Sequence, residues 1–229
     1  MKKFAIIVAG GTGNRMQGDI PKQFVLLNGK PVIIYSIEAF FTHNPSVQII
    51  LVIHPEYLSL WERLAKEYKI SAPLLVVAGG KTRFDSVKNG LKLITEDGLV
   101  AVHDAARPVI NAGFIRNLFL DASTFGSAIP VVPINDTIRI IDGDFSHPQD
   151  RTFLRAIQTP QVFKVSELQR AYMQPYEPIF TDDGSVMESA GFPVHLAEGR
   201  RGNIKITHPE DIAVAEVLMK NLTTEGLSK

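Results

Sequence analysis

Three glycines fall within four residues, Gly10, Gly11 and Gly13, directly after the short apolar run Phe4 to Val8. Such a β-branched run reads as a buried strand. The chain therefore leaves a strand through a turn that few sequences can make. Glycine tolerates positive φ and lets the backbone approach a ligand with no Cβ in the way. Successive peptide N–H groups in such a turn can form an anion nest. Arg15 and Lys22 place two cations beside it, Lys22 within the run Pro21-Lys22-Gln23. A nest with two cations suits a triphosphate.

Two familiar phosphate loops do not fit. No Gly-x-x-x-x-Gly-Lys-Ser/Thr stretch exists, which argues against a P-loop NTPase. The dinucleotide fingerprint needs a third glycine where Met16 stands, and an acid at the end of the second strand, where Ile53-His54-Pro55 stands. An NAD-dependent reductase is disfavoured on both counts. A Gly-rich turn that binds nothing is the plain alternative, but such turns commonly hold anions.

Strand and helix patterns alternate after this opening. Helical faces are expected at Pro31 to Phe41, Tyr57 to Tyr68, after the cap Thr82, and at Gly113 to Ala122. Apolar runs at Val47 to Ile53, Leu74 to Ala78, Leu99 to Val102 and Ser127 to Val132 read as strands. This βαβα order predicts a Rossmann-like, doubly wound, mostly parallel α/β sheet with ligands at the carboxyl ends of its strands. The stretch from Asp136 to Gln161 breaks the rhythm: Thr137 to Ile141 alternates and Asp142-Gly143-Asp144 makes a turn. It reads as an antiparallel arm, approximately residues 136–161. An isolated two-stranded ribbon is marginal in water, so the arm is expected to pack on a second subunit, giving a homodimer. Helices are expected again at Val165 to Met173 and Asp183 to Ala190, and strands at Val194 to Ala197 and Ile204 to Ile206. A last helix follows Thr207, with Glu210 as its capping-box partner and Ile212, Val214, Ala215 and Leu218 on its buried face. One domain spans the 229 residues.

Composition narrows the class. Lys and Arg total 24 and Asp and Glu total 24, so no broad basic face for nucleic acid is expected. With no cysteine there is neither a disulfide nor a thiolate metal site. The opening apolar run is too short for a signal peptide or membrane span, and a cytoplasmic protein is the expectation.

The second informative stretch is His103-Asp104-Ala105-Ala106-Arg107-Pro108, placed just after a strand at the ligand-binding edge. An acid and a base two small residues apart can form a plain salt bridge. They can also divide labour, Asp104 holding a divalent cation or its water shell and Arg107 an anion. Magnesium prefers oxygen ligands, few carboxylates and substrate phosphates.

The run Ala9-Gly10-Gly11-x-Gly13-x-Arg15 with Pro21-Lys22-Gln23 resembles the opening signature of nucleotidyltransferases that join a nucleoside triphosphate to a phosphorylated sugar or polyol. With the later motifs, nearly the whole chain resembles the 2-C-methyl-D-erythritol 4-phosphate cytidylyltransferase family of isoprenoid-precursor synthesis. The resemblance implies CTP contacts at Ala9, Gly10, Gly11, Gly13, Arg15, Lys22, Gly80, Ser86 and Ala105. It implies substrate contacts at Asp104, Arg107, Thr137, Arg151, Thr181 and Lys205, with Arg15, Lys22, Arg151 and Lys205 as catalytic cations and Mg2+ near Asp104. Thr159-Pro160-Gln161, Glu198 to Arg200 and Asn203 to Lys205 match further motifs of the family. Lys81 departs from it, standing where an acid is usual. The Ala-Gly-Gly-Thr-Gly form also resembles ribitol-5-phosphate cytidylyltransferase, whereas His-Asp-Ala-Ala-Arg-Pro favours the erythritol family. The implied reaction transfers CMP from CTP to the polyol phosphate and releases pyrophosphate. A non-catalytic nucleotide-binding regulator is the alternative from another class; Arg15, Lys22, Asp104 and Arg107 together weigh against it.

Overall fold

The computed structural model describes residues 1–11 and 21–225. Gly13 and Arg15 thus lie outside the described residues. The first strand, β1 (Lys2–Ala9), runs parallel to β4 (Gln48–Ile53) on one side and to β6 (Gly98–Asp104) on the other. A further parallel strand, β5 (Leu74–Ala78), extends the β4 edge. Period-two alternation sorts β1 between two cores. Ala5, Ile7 and Ala9 meet Ile33, Ile37 and Phe40 of α1 (Val32–His43) and Ile115 and Phe119 of α4 (Ala112–Phe125). Phe4 and Ile6 meet Phe84, Val87 and Leu91 of α3 (Arg83–Leu91) on the opposite face. Coverage on both faces explains why β1, β4 and β6 read as unbroken apolar runs, whereas the edge strand β5 leaves Leu75 and Val76 exposed. Helix α2 (Leu58–Glu67) packs Trp61 into the first core. A two-residue hairpin, β2 (Leu26–Leu27) with β3 (Lys30–Pro31), precedes α1.

Helix boundaries follow local chemistry. Thr82 and Asp85 form a reciprocal capping box at the start of α3, and Gly126 ends α4 in the left-handed region at φ +89°.

The second half is mixed. Strand β7 (Ser127–Pro133) does not pair with β6; the antiparallel strand β11 (Gln161–Lys164) lies between them. Strand β10 (Arg155–Ile157) pairs antiparallel with the end of β7, and β12 (Leu196–Glu198) pairs with its other side. The projecting ribbon is β8 (Ile138–Asp142) with β9 (Phe145–Gln149), turned at Gly143 with φ +56°. The arm is therefore shorter than residues 136–161. Its expected end belongs to the main sheet, because Val162 and Phe163 are apolar enough to be fully buried there. Helices α5 (Val165–Ala171) and α6 (Asp183–Ser189) join the α3 face.

The tail differs from expectation at three points. Ile204 to Ile206 is not a strand; the Ile206 N–H donates to the Ala106 carbonyl (2.8 Å), while the Ile204 N–H turns back locally on the Gly202 carbonyl (2.8 Å). Before the last helix, α7 (Glu210–Glu225), Asp211 rather than Glu210 reaches back, accepting from the N–H groups of Thr207 (2.7 Å) and His208 (2.8 Å). The Thr207 hydroxyl donates to the Lys205 carbonyl (3.1 Å) instead of capping the helix. Ala215 is buried, but Val214 is 49% exposed, so the buried stripe of α7 is narrower than the apolar pattern. Among the described residues no helix is long and apolar enough to cross a membrane.

Replacing Asp211 with Ala should cost about 1 kcal/mol of stability, the usual worth of a helix-start carboxylate. Glu210→Ala should cost little. Thermal denaturation of the two variants checks the assignment.

Candidate active site

A cleft of about 350 Å³ opens at the carboxyl edge of β1, β4 and β6. One wall is the glycine segment after β1. Gln23, nearly fully buried, donates from Nε2 to the carbonyls of Ala9 (3.0 Å) and Gly11 (3.2 Å) and so holds that segment. Across from it, the Gly80 N–H donates to Ser86 Oγ (3.1 Å), and the Ser86 hydroxyl donates to the Thr82 carbonyl (2.9 Å). The packing leaves no room for side chains here. A Cβ on Gly10 would stand 2.9 Å from Ser86 Oγ, and one on Gly80 only 2.2 Å from the Asp85 Cβ. The glycines bring two backbone segments together, as close recognition of a nucleotide requires.

Charge lines the rest. Lys22, Lys81, Arg83 and Lys205 face the cleft, against Asp104 as its carboxylate among the described residues. Asp104 stands at the end of β6, 9% exposed. Its Oδ1 accepts from Arg83 Nε (3.2 Å), its Oδ2 accepts from Lys205 Nζ (2.7 Å), and Arg107 Nε lies 4.0 Å away. Burial pushes its pKa up, but Arg83, Lys205 and Arg107 outweigh burial and hold it well below the usual carboxylate range. Arg83 is itself gripped by Asp183, Nη1 to Oδ1 at 3.1 Å and Nη2 to Oδ2 at 2.7 Å. Burial works against its charge, yet Asp183 and Asp104 raise its pKa well above the ordinary value. Tyr172 completes the chain by donating to Asp183 Oδ1 (2.6 Å).

The structure gathers Ala9, Gly10, Gly11, Lys22, Gly80, Ser86, Asp104, Ala105 and Lys205 around one cleft. Arg107 does not line it. Its Nη1 donates to the Asn203 carbonyl (2.8 Å), its Nη2 to the Ile157 carbonyl (3.4 Å), and its buried Nε has no hydrogen-bond partner among the described residues. Thr137, Arg151 and Thr181 are exposed residues outside the cleft wall. Thr137 and Arg151 flank the ribbon, Arg151 in a 3-10 turn after β9. Two members of this charge network escaped sequence reasoning, Arg83 and Asp183. Arg83 sits one residue after its helix cap, where a charge normally reads as solvated surface. The double acid Asp182-Asp183 ahead of an apolar run was the available signal for a buried helix start.

Comparison with known proteins bears on this site as a whole. A sequence profile of the 2-C-methyl-D-erythritol 4-phosphate cytidylyltransferase family matches residues 4–221. The chain belongs to this family. A member from Bacteroides thetaiotaomicron is 47% identical over 219 residues, covering 96% of this chain and all of the relative. One from Porphyromonas gingivalis is 42% identical, covering 95% of this chain and 98% of the relative. Among solved structures, the Francisella tularensis enzyme of this family superposes with a TM-score of 0.79 at 30% identity, covering 95% of this chain and all of that one. The 4-diphosphocytidyl-2C-methyl-D-erythritol synthase of Anaerococcus prevotii gives 0.80 at 26% identity, with 96% of each chain covered. Family membership makes the chain a cytidylyltransferase and bears out the mostly parallel α/β nucleotidyltransferase fold expected of it.

The site sets an acid limit on stability. Burial pushes the His103 imidazole down from 6.5 to about 3. Between those values the unfolded chain binds a proton that the native state refuses, so stability falls as pH drops through that window. Asp104 adds a further loss below 3.8, by the same sign. A His103→Gln variant should show a flatter fall in its urea midpoint between pH 7 and pH 5. An unchanged slope in that variant would remove His103 as the cause.

Proposed function

We propose that the protein transfers CMP from CTP to 2-C-methyl-D-erythritol 4-phosphate, releasing pyrophosphate. One observation carries the reading: a backbone-lined glycine wall with Lys22 shares a cleft with an Asp104–Lys205 pair on the next strand end. The first half suits a triphosphate and the second an incoming phosphate. The names of the relatives support the polyol.

The phosphate monoester of the substrate is already an anionic nucleophile near neutral pH. One of its oxygens attacks the α-phosphorus of CTP in line; the bond from that phosphorus to the bridging oxygen breaks, and the electron pair leaves with pyrophosphate. No strong general base is needed, so the protein contributes positioning and charge neutralisation. Lys22 meets the charge growing on the α-phosphate and leaving group. Arg15, outside the described residues, shares this role by its motif position. Lys205 and Arg151 receive the incoming phosphate, Lys as a point charge and Arg as a bidentate fork. Thr137 and Thr181 hold its hydroxyl-bearing body, and Arg107 lends positive charge from behind Asp104.

Magnesium fits as a companion of the nucleotide. Among the described residues no group of three metal-ligating side chains exists, and Asp104 already accepts from Arg83 and Lys205. That donor set suits an ion held mainly by triphosphate oxygens, with Asp104 steadying its water shell. When bound, the ion supplies charge neutralisation on the phosphates.

The working unit in this reading is a homodimer. The ribbon leaves Ile141 73% and Phe145 81% exposed, and Phe153 beyond it 83% exposed, which a second subunit would cover. The arm would then deliver Thr137 and Arg151 to the neighbouring cleft.

Pyrophosphate release with CTP and Mg2+ should appear with methylerythritol phosphate and not with ribitol 5-phosphate; the reverse result would overturn the substrate. Lys22→Ala should lose about 10²–10³ in kcat, as for other charge-stabilising donors. Lys22→Ala and Arg151→Ala proteins, each inactive alone, should regain activity when unfolded and refolded as a mixture. No recovery would mean that Arg151 serves its own cleft.

A further inference from the structure

The backbone that carries Lys205 is held by a closed circuit of hydrogen bonds. The Arg107 carbonyl can only accept, so the hydrogen of His103 lies on Nε2, which donates to it (3.1 Å). His103 Nδ1 is then bare and accepts from the Thr159 hydroxyl (3.0 Å). The Thr159 carbonyl accepts from Asn203 Nδ2 (2.7 Å), and the Asn203 carbonyl accepts from Arg107 Nη1 (2.8 Å). The four residues donate in one direction, His103 to Arg107 to Asn203 to Thr159 and back to His103. The Thr159 hydroxyl oxygen also accepts, taking the Asp104 N–H (3.1 Å). His103, Thr159 and Asn203 are all buried.

This circuit brackets both members of the Asp104–Lys205 pair. Asp104 is tied through its own N–H. Lys205 lies between Asn203, which the circuit holds by its carbonyl and side chain, and Ile206, whose N–H donates to the Ala106 carbonyl (2.8 Å). Residues 203–206 form no strand with the sheet, so these few bonds replace a ladder. The glycine wall is held by a separate set, Gln23 on Ala9 and Gly11, and Ser86 with Gly80 and Thr82.

We infer that His103, Thr159 and Asn203 are positioning residues for the second substrate: their one-way circuit through Arg107 sets Lys205 against Asp104 without touching either substrate. The inference rests on the reaction proposed above. The glycine wall shares none of these bonds, and Asp104 meets the nucleotide only through the water shell of its ion, so damage to the circuit falls mainly on the phosphate acceptor.

The test is Thr159→Val, which keeps the side-chain shape but removes the hydroxyl, leaving His103 Nδ1 and the Asp104 N–H unpaired. With CTP and Mg2+ saturating, kcat/KM for methylerythritol phosphate should fall about tenfold or more. CTP affinity, read by calorimetric titration, should stay within about twofold of wild type. Thr159→Ser, which restores the hydroxyl, should recover most of the loss. If Thr159→Val does not fold, Asn203→Ser opens the circuit at another link and should show the same split. Histidine ¹⁵N spectra of the wild-type protein should show His103 protonated at Nε2 and bare at Nδ1. Unchanged kinetics, equal losses toward both substrates, or a proton on Nδ1 would each overturn the inference. A wild-type protein inactive with methylerythritol phosphate would instead overturn the proposed reaction, a separate result.

Discussion

One buried carboxylate holds the cationic cleft together. Arg83, Lys205 and Arg107 converge on Asp104 from helix α3, from the segment after β12 and from the loop after β6. Without that charge the three cations would repel one another in a poorly solvated corner. Removing one member of a buried ion cluster typically costs about 3–5 kcal/mol, because the survivors keep their desolvation penalty. The cluster also reaches deeper: Arg83 joins Asp104 to Asp183 and Tyr172, and so links the α3 and α6 starts to the end of β6. Asp183 is fully buried, yet it never lacks a cation.

The position of this cluster follows from topology. Parallel strands put their carboxyl ends on one edge, and loops from β1, β5 and β6 meet there. The glycine wall supplies close backbone approach on one side. On the other side, residues 157–161 and 203–206 cross the sheet end and meet at Asn203, whose carbonyl accepts from Arg107 and whose amide reaches Thr159. Gln161 extends the link to α6, accepting from the N–H groups of Asp183 (3.1 Å) and Gly184 (3.0 Å). A short run, Gln158 to Gln161, thereby touches each segment that frames the acceptor half of the cleft.

Much of this was legible in the chain because local rules carried it. The apolar runs of β1, β4 and β6 are buried on both faces, and their composition says so. Thr82 with Asp85 and the turn at Gly143 are short-range signals that tertiary structure did not override. What escaped was set by distant partners. Nothing near Gln161 announces that it will pair opposite Val102, between two strands that would otherwise be neighbours. Arg107 looks like an anion holder beside Asp104, but its guanidinium is spent on two carbonyls far away in sequence. Ile204 to Ile206 has the alternation of a strand and no edge to join. The capping partner of the last helix was misplaced by one residue, since Glu210 and Asp211 are equally acidic and only backbone direction separates them.

The late, antiparallel insertion of β11 has a consequence for how the chain is assembled. The parallel strands β1, β4, β5 and β6 and their helices come from the first half of the sequence and can condense early. Strand β7 cannot join them, because the lane beside β6 is reserved for residues 161–164. Until those residues arrive, β6 presents an open ladder flanked by apolar faces, the kind of edge that captures other chains. The ribbon must be made and the chain must return before that lane is filled. Closure of the sheet also sets the first part of the acceptor half of the cleft, since Gln161 opens β11 and Thr159 stands two residues before it; residues 203–206 then dock on that frame. A nascent or truncated chain ending before this return would be exposed to aggregation and would lack the frame for its second substrate.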